Sequence, residues 1–363
     1  MSYVKNVLMT GCTGNLGSHI LKRFLINTFQ DVKLFLLVRG ENKEHALKRV
    51  EEACPWTNDF KKYVSQKKVQ VLPGDISKEN LGLAKRSYDE LLKEIDVVYH
   101  SAALTRFNDP LAQLRRVNVL GTQRILDFIA KSRRSPTLHY ISTAFIAGDY
   151  KGLFKESDFD LGQKFNNPYE QSKFEAEKRV RKFQKGRTNV HIYRPSIIVG
   201  EYDTGRTLDF QMFYKPLYLL SKEVFQRIAV RKNTRLNLIP VDRAANAIWM
   251  LAHHMGERKN KIYHIVSPKP LNIISTINRA SEYFHFAKPK LGRSFRFKNP
   301  IIARLYLKKI RPFFNYFTFQ AQFDCGETSD RLEELGFSFP ELDRLFLERL
   351  FAYAVKMKYM GIN

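Results

Sequence analysis

Short β-branched and apolar runs alternate with helix-patterned stretches through the first half of this chain, and that alternation narrows its fold more than any other feature. Val4–Met9, Val32–Val38, Val69–Leu72, Val97–His100, Leu138–Ile141 and Val190–Tyr193 have the length and composition of buried strands. Leu16–Phe29, Lys43–Ala53, Leu111–Lys131 and Tyr169–Phe183 carry helical spacing between them. Strand and helix in regular alternation predict an α/β fold with a doubly wound parallel sheet and right-handed crossovers. After Gly200 the rhythm weakens, although Val241–Met255 still reads as a helix and Ile262–Val266 as a strand.

The turn after the first strand indicates what such a sheet would carry. Thr10-Gly11-Cys12-Thr13-Gly14-Asn15-Leu16-Gly17 spaces its glycines as G-x-x-G-x-x-G between a strand and a helix. Glycine there permits a tight turn, close approach of backbone to a pyrophosphate, and close helix–strand packing. The helix N-terminus adds unpaired N–H groups facing the phosphate. A Rossmann-type dinucleotide site is therefore expected, with Gly11, Thr13, Gly14, Asn15, Leu16 and Gly17 at the cofactor. The second strand ends Leu37-Val38-Arg39-Gly40. NAD-binding chains place an acid near this point, whereas a guanidinium suits the 2′-phosphate of NADP(H). Glu41 stands two positions on, so Arg39 is either the NADP selector or an ordinary surface charge. Asp75 and Ile76 follow the third strand, and Ser101, Ala102 and Ala103 the fourth. Both are places where ligands of open α/β sheets bind.

Pro168-Tyr169-Glu170-Gln171-Ser172-Lys173 sets a tyrosine and a lysine four residues apart, on one helical face. Thr143 closes the fifth strand on the same sheet edge. Tyr169 could donate a proton to an oxygen gaining charge, with Thr143 as a second donor. Lys173 would hold the nicotinamide ribose and lower the Tyr169 pKa through its charge. Asn118 either supports Lys173, through backbone or water, or makes a polar contact within its own helix.

These residues resemble the extended short-chain dehydrogenase/reductase superfamily, and more narrowly its fatty acyl-CoA reductase and thioester reductase branch. The likeness rests on Gly11–Gly17, Leu37–Arg39, Thr105-Arg106-Phe107-Asn108-Asp109-Pro110-Leu111 and Asn118-Val119-Leu120-Gly121-Thr122. It continues through Tyr140–Thr143, Tyr169–Lys173 with Glu175-Ala176-Glu177, Arg194–Gly200 to Thr204-Gly205, and Leu236–Asp242. It covers about residues 4–270, and more weakly Phe319–Phe339. The glycine block and Tyr-x-x-x-Lys are superfamily-wide; the arginine after the second strand and the Phe-Asn-Asp-Pro-Leu block are narrower. The resemblance implies Thr143, Tyr169 and Lys173 as the catalytic set and adds Asn118, Pro195 and Ile197 to the cofactor-binding set. It implies an NADP(H)-dependent reductase of a fatty acyl-CoA or acyl carrier protein thioester, giving an aldehyde and, with a second hydride, an alcohol. Asn15 departs from the pattern, which favours an aromatic or apolar residue there. No carrier or adenylation segment accompanies the chain, so free CoA or a separate carrier is expected. Residues 1–200 would form the nucleotide-binding domain. Residues 201–363 would mostly form a substrate lobe, with some segments returning to the first domain.

Two other readings stay open. Another extended short-chain enzyme, acting on nucleotide sugars or hydroxysteroids, would share the fold, although the sugar enzymes favour an acid after the second strand. A non-catalytic NADP-binding regulator often lacks the Tyr or the Lys, and both are present.

The charge balance bears on partners. Lys+Arg 61 against Asp+Glu 36 leaves +25, which favours phosphorylated cofactors, CoA-like substrates or anionic headgroups. Residues 285–312 contain nine Lys or Arg and no carboxylate. That tract could touch an anionic membrane surface peripherally, meet CoA phosphates, or be a solvated face. No nucleic-acid motif accompanies it, so nucleic acid is not expected. The apolar run from Phe210 to Leu220 could line an acyl channel or simply pack as core. Cys12, Cys54 and Cys325 form no metal-ligand spacing and no disulfide framework. With no apolar run of about 18 residues and no signal-peptide core, a cytoplasmic protein is expected.

Overall fold

The computed structural model of the protein describes residues 5–27, 32–54, 60–184, 186, 188–254, 260–299, 301 and 311–361. Seven strands form one sheet: Lys5–Thr10 (β1), Val32–Val38 (β2), Val69–Pro73 (β3), Val97–His100 (β4), Thr137–Ile141 (β5), Val190–Pro195 (β6) and Ile262–Ile265 (β7). Their spatial order is β3-β2-β1-β4-β5-β6-β7, and every neighbouring pair is parallel. The order reverses between β1 and β4. Ligands of open parallel sheets bind at such a switch point, beyond the carboxyl ends of the strands.

Side chains on a strand alternate between faces, and here both faces are covered. Val7, Met9, Leu34, Leu36 and Val38 pack toward the helices Asn15–Asn27 and Val241–His253. Leu8, Phe35, Leu37 and Val98 pack on the other side, toward Lys85–Glu94, Gly121–Lys131 and Pro168–Phe183. Continuous apolar runs, rather than alternating ones, are what a sheet buried on both faces requires.

The helix expected over Leu111–Lys131 is present as one rod with an internal irregularity. Leu111–Leu114 and Gly121–Lys131 are α-helical, and Arg115–Leu120 between them is π-helical. Single π segments widen a helix locally and recur at functional sites. Asn118 sits in this one. The helix Lys85–Glu94 has no strong sequence signal, because only Tyr88 and Leu91 of its ten residues are buried.

A second apolar cluster lies beyond the sheet. The helices Tyr214–Ser221, Ile273–Phe284 and Arg344–Lys356 pack with the three-stranded sheet Lys290–Gly292, Phe225–Ala229 and Arg296–Phe297 around Phe225, Phe284, Phe346 and Phe351. Much of the basic tract, Arg304, Lys308 and Lys309 included, lies outside the described residues. Among the described residues no helix is long and apolar enough to cross a membrane, and no group of three or more His, Cys, Asp or Glu could hold a metal.

Candidate active site

The chain leaves β1 through Gly11, whose φ of +78° belongs to the left-handed region. A Cβ there would lie 2.5 Å from the Ala102 backbone nitrogen, and one on Gly17 would collide with the Gly11 carbonyl oxygen. The first loop and the loop after β4 are thus pressed together at the switch point, leaving backbone where a nucleotide could approach. Gly11→Ala is expected to cost on the order of 1–3 kcal/mol from the dihedral alone, before any shift of Ala102. A lowered melting temperature and loss of dinucleotide-dependent thermal stabilisation would show it. A variant with wild-type values for both would contradict this account of the loop.

A buried hydrogen-bond chain stiffens that junction. The Thr122 hydroxyl donates to the Asn118 carbonyl at 2.6 Å, so toward His100 Nε2, 3.0 Å away, it accepts. Burial, aided by Lys173, lowers the His100 pKa to about 3, so the ring is neutral. Its Nδ1 then accepts from the Thr10 hydroxyl at 2.8 Å, and Thr10 accepts from the Ala102 N–H at 3.3 Å. One tautomer satisfies the whole chain.

Asn167 caps the helix Pro168–Phe183, its side-chain oxygen accepting from the Glu170 N–H at 3.0 Å, with Pro168 in the first turn. This start places Tyr169 and Lys173 on one face. The Tyr169 ring stacks on Phe107 with centroids 5.6 Å apart, and Thr143 lies near enough to its phenol to influence its pKa. Thr143, at the end of β5, also accepts from the Phe145 N–H at 3.3 Å and donates toward the Pro195 carbonyl at 3.4 Å.

One expectation needs correcting. Lys173 does not lower the Tyr169 phenol here. Burial pushes that phenol above its usual value, Thr143 pulls it back in part, and Glu170 pushes it up. The Lys173 ammonium instead donates to the Tyr140 hydroxyl at 3.0 Å and the Ile141 carbonyl at 2.7 Å. Burial brings its own pKa to about 7, with Glu177 acting in the opposite direction. The direct partners of Asn118 are Leu104 and Ser172. Its oxygen accepts from Leu104 N–H at 2.8 Å, and its nitrogen donates to Leu104 O at 3.0 Å and to Ser172 Oγ at 2.9 Å. It fixes the loop after β4 against the residue beside Lys173.

A cavity of about 270 Å³ joins these parts. Gly11, Gly14, Asn15, Leu16 and Gly17 line one end, with Ser101 and Ala103; Thr143, Tyr169 and Lys173 line the other, with Pro195 and Ile197. Thr13, Arg39, Asp75, Ile76, Ala102 and Asn118 are not on its wall. Arg39 is exposed at the end of β2, and its carbonyl accepts from Arg49 at 2.5 Å, which puts a second guanidinium beside it. The Asp75 carboxylate accepts from Ser77 N–H at 2.8 Å. Ile76 is buried and packs over Gly121.

The departure at Asn15 has a structural reason. Its side-chain oxygen accepts from the Leu208 N–H at 3.1 Å, and its carbonyl meets His19 Nδ1 at 2.8 Å. His19 Nε2 lies 3.1 Å from Glu201. Burial would raise the Glu201 carboxyl, but hydrogen bonds from His19 and Thr204 bring it to about 2. The glycine-loop helix is thereby tied to the segment 201–212, which supplies Asp209, Gln211 and Met212 to the cavity edge. Met212 belongs to the apolar run after Phe210, but no local pattern pointed to Asp209 or Arg49. Phe107 lay within the Phe-Asn-Asp-Pro-Leu block, but its place against Tyr169 is a tertiary fact.

Beyond Ile197 two further cavities open. Met212, Phe213, Leu217 and Leu220 line an apolar one of about 60 Å³. The apolar run of the second half is therefore both core and cavity wall. The other, of about 650 Å³, carries Arg235, Asn237, Ser267 and Lys269.

Comparison with known proteins places this geometry. The model of the male sterility protein family, an NAD-binding family, matches residues 9–248. A component of the linear gramicidin synthase of Brevibacillus parabrevis is 28% identical over 273 residues, 74% of this chain and 5% of that protein. A Drosophila melanogaster protein named as a fatty acyl-CoA reductase is 26% identical over 310 residues, 74% of this chain and 56% of that one. The chain thus spans about half or less of the length of these relatives. Among solved structures, the terminal R domain of the myxalamid PKS-NRPS pathway superposes with a TM-score of 0.83 at 24% identity, covering 99% of this chain and 92% of that one.

Proposed function

Because the chain belongs to the male sterility protein family, in the fatty acyl-CoA reductase and thioester reductase branch of the extended short-chain dehydrogenases, we propose that it is an NADPH-dependent reductase of acyl thioesters. One observation carries the reading. Thr143 and Tyr169 line the same cavity as the glycine loop and Lys173.

The glycine loop, with its positive φ at Gly11 and no room for a Cβ, suits a dinucleotide; Ser101, Ala103, Lys173, Pro195 and Ile197 would hold its nicotinamide half. When bound, the reduced nicotinamide supplies the hydride. The protein's own part is to receive the charge that appears on the thioester oxygen. Tyr169, and Thr143 once its hydroxyl turns from the Pro195 carbonyl, offer two donors from a partly buried site, where such bonds are stronger than in water. The Tyr169 phenol lies above its usual value, so it is protonated at neutral pH and ready to donate. Transfer of its proton to the oxygen gives the hemithioacetal. Collapse of that species forms the aldehyde carbonyl, returns the hydroxyl proton to Tyr169 and expels a thiolate, which takes up a proton from water. The segment after about residue 200 serves as the substrate lobe, although Val241–His253 and β7 belong to the sheet layer.

NADPH consumption with acyl-CoAs from short to long, with NADH in parallel, tests the reading and identifies aldehyde or alcohol as product. Turnover that requires acyl-CoA and runs faster with NADPH is expected. A protein that binds NADPH but oxidises it with no CoA or carrier-protein thioester would overturn the proposal. Arg39→Ala should weaken NADPH relative to NADH by roughly 10- to 100-fold, the value of one charge-assisted contact. An unchanged cofactor ratio would remove Arg39 from 2′-phosphate recognition.

A further inference from the structure

The three cavities around the site share walls. Ile197 lines all of them, and Tyr316 and Leu236 line both of the two that lie beyond the catalytic cavity. Those two differ in chemistry. Apart from Thr276 and Tyr316, the smaller is lined by apolar side chains, which suits an alkyl chain. The larger presents Asn237 and Ser267 together with the cations Arg235 and Lys269 and one carboxylate, Asp324, a net positive polar wall that suits an arm of amides ending in phosphate.

Tyr316 is held where the two meet. Its hydroxyl accepts from Asn167 Nδ2 at 2.8 Å and donates to the buried Glu170 carboxylate, both at the start of the helix that carries Tyr169. Its ring stacks on Phe107 at 5.8 Å and meets Phe145 edge-on at 5.3 Å. With its hydroxyl committed to two buried partners and its ring clamped by two others, it acts as a fixed wall and not as a gate.

We propose that Tyr316 is a specificity-determining residue, the partition between an acyl-chain pocket and the cavity for the thiol-carrying arm, and that its ring sets the upper limit of acyl-chain length. The inference rests on the thioester reading and goes beyond it, since nothing in that reading says where the chain ends. Tyr316→Ala would join the two cavities. Each methylene that gains a buried place should then improve use of longer chains by about fourfold.

The test compares wild type, Tyr316→Ala, Tyr316→Phe and Leu236→Ala on a graded acyl-CoA series. Binding of the corresponding non-reducible thioethers to the NADP⁺-loaded protein is followed by calorimetry. Tyr316→Ala should move both the turnover profile and the affinity profile toward longer chains. Tyr316→Phe, which keeps the ring, should retain the wild-type limit. Leu236→Ala opens the same wall and carries the test should Tyr316→Ala fail to fold. An unshifted profile in the folded wall-opening variants, or a shift in Tyr316→Phe as large as that in Tyr316→Ala, would overturn the proposal. Wild type that neither reduces nor binds any acyl thioester would instead defeat the thioester reading itself.

Discussion

Tyr169→Phe is expected to keep its fold and its nucleotide binding while losing about 10²- to 10⁴-fold in kcat on an acyl thioester, the range for a positioned acid. The substitution removes one oxygen. The ring keeps its stack on Phe107 at 5.6 Å, so the cavity wall should survive. What disappears is the phenol hydroxyl that shares the cavity with Thr143. Thr143 then remains as the only member of the pair able to meet the developing oxyanion, which is why residual rather than zero turnover is expected. Stopped-flow NADPH oxidation at saturating substrate, with thermal shift by NADPH as the control for folding, reads both halves. Wild-type turnover in a variant that still binds NADPH would take Tyr169 out of the chemistry and leave the Tyr-x-x-x-Lys spacing as helix geometry alone.

Glu177→Ala should be the most destabilising of these substitutions, by about 3–5 kcal/mol, the cost of leaving a buried ion without its partner. Glu177 and Arg194 both have fully buried side chains and meet at 2.6 Å. Ser142 donates to the same carboxylate at 2.6 Å and Arg181 at 3.0 Å. Arg194 also donates to the Glu156 carbonyl at 3.2 Å, the Asp158 carbonyl at 2.8 Å and His264 Nε2 at 3.1 Å. The His264 ring is neutral, lowered to about 3 by burial and then by Arg194, so its Nδ1–H donates to the Asp324 carbonyl at 2.5 Å. One carboxylate therefore joins the catalytic helix, the end of β5, β6 and, through Arg194, β7. With an unfolding entropy of about 2.1 cal/mol/K per residue, the loss corresponds to a fall of about 4–7 °C in melting temperature. Acid should reveal the same pair. Burial would raise the Glu177 carboxyl, but Arg194, Arg181 and Ser142 hold it below its ordinary value. Its contribution is therefore present above the usual carboxylate range and is lost as pH falls through the lowered value. The variant should lose less stability in that acid window than wild type does. A melting temperature indistinguishable from wild type would show that the network is not worth its burial.

The sequence alone determined whatever is encoded in short spacing. Strands read correctly because buried parallel strands are continuous apolar runs. Tyr169 and Lys173 share a face because four residues is close to one helical turn. The glycines of the first loop were legible because a positive φ and a backbone contact are local demands that one residue type meets. The tertiary structure decided the partners. Asn118 bonds Leu104 and Ser172, Asn15 receives Leu208, Glu177 faces Arg194, and Tyr316 closes on Asn167 and Glu170. Tyr316 lies 149 residues from Asn167, and Leu208 lies 193 residues from Asn15. No local period can report contacts of that range. Nor can it report the charge state of Lys173, whose pKa near 7 comes from burial. Spacing decides which face a residue occupies. Desolvation and hydrogen bonding depend on what the rest of the fold brings to that face, and only packing settles them.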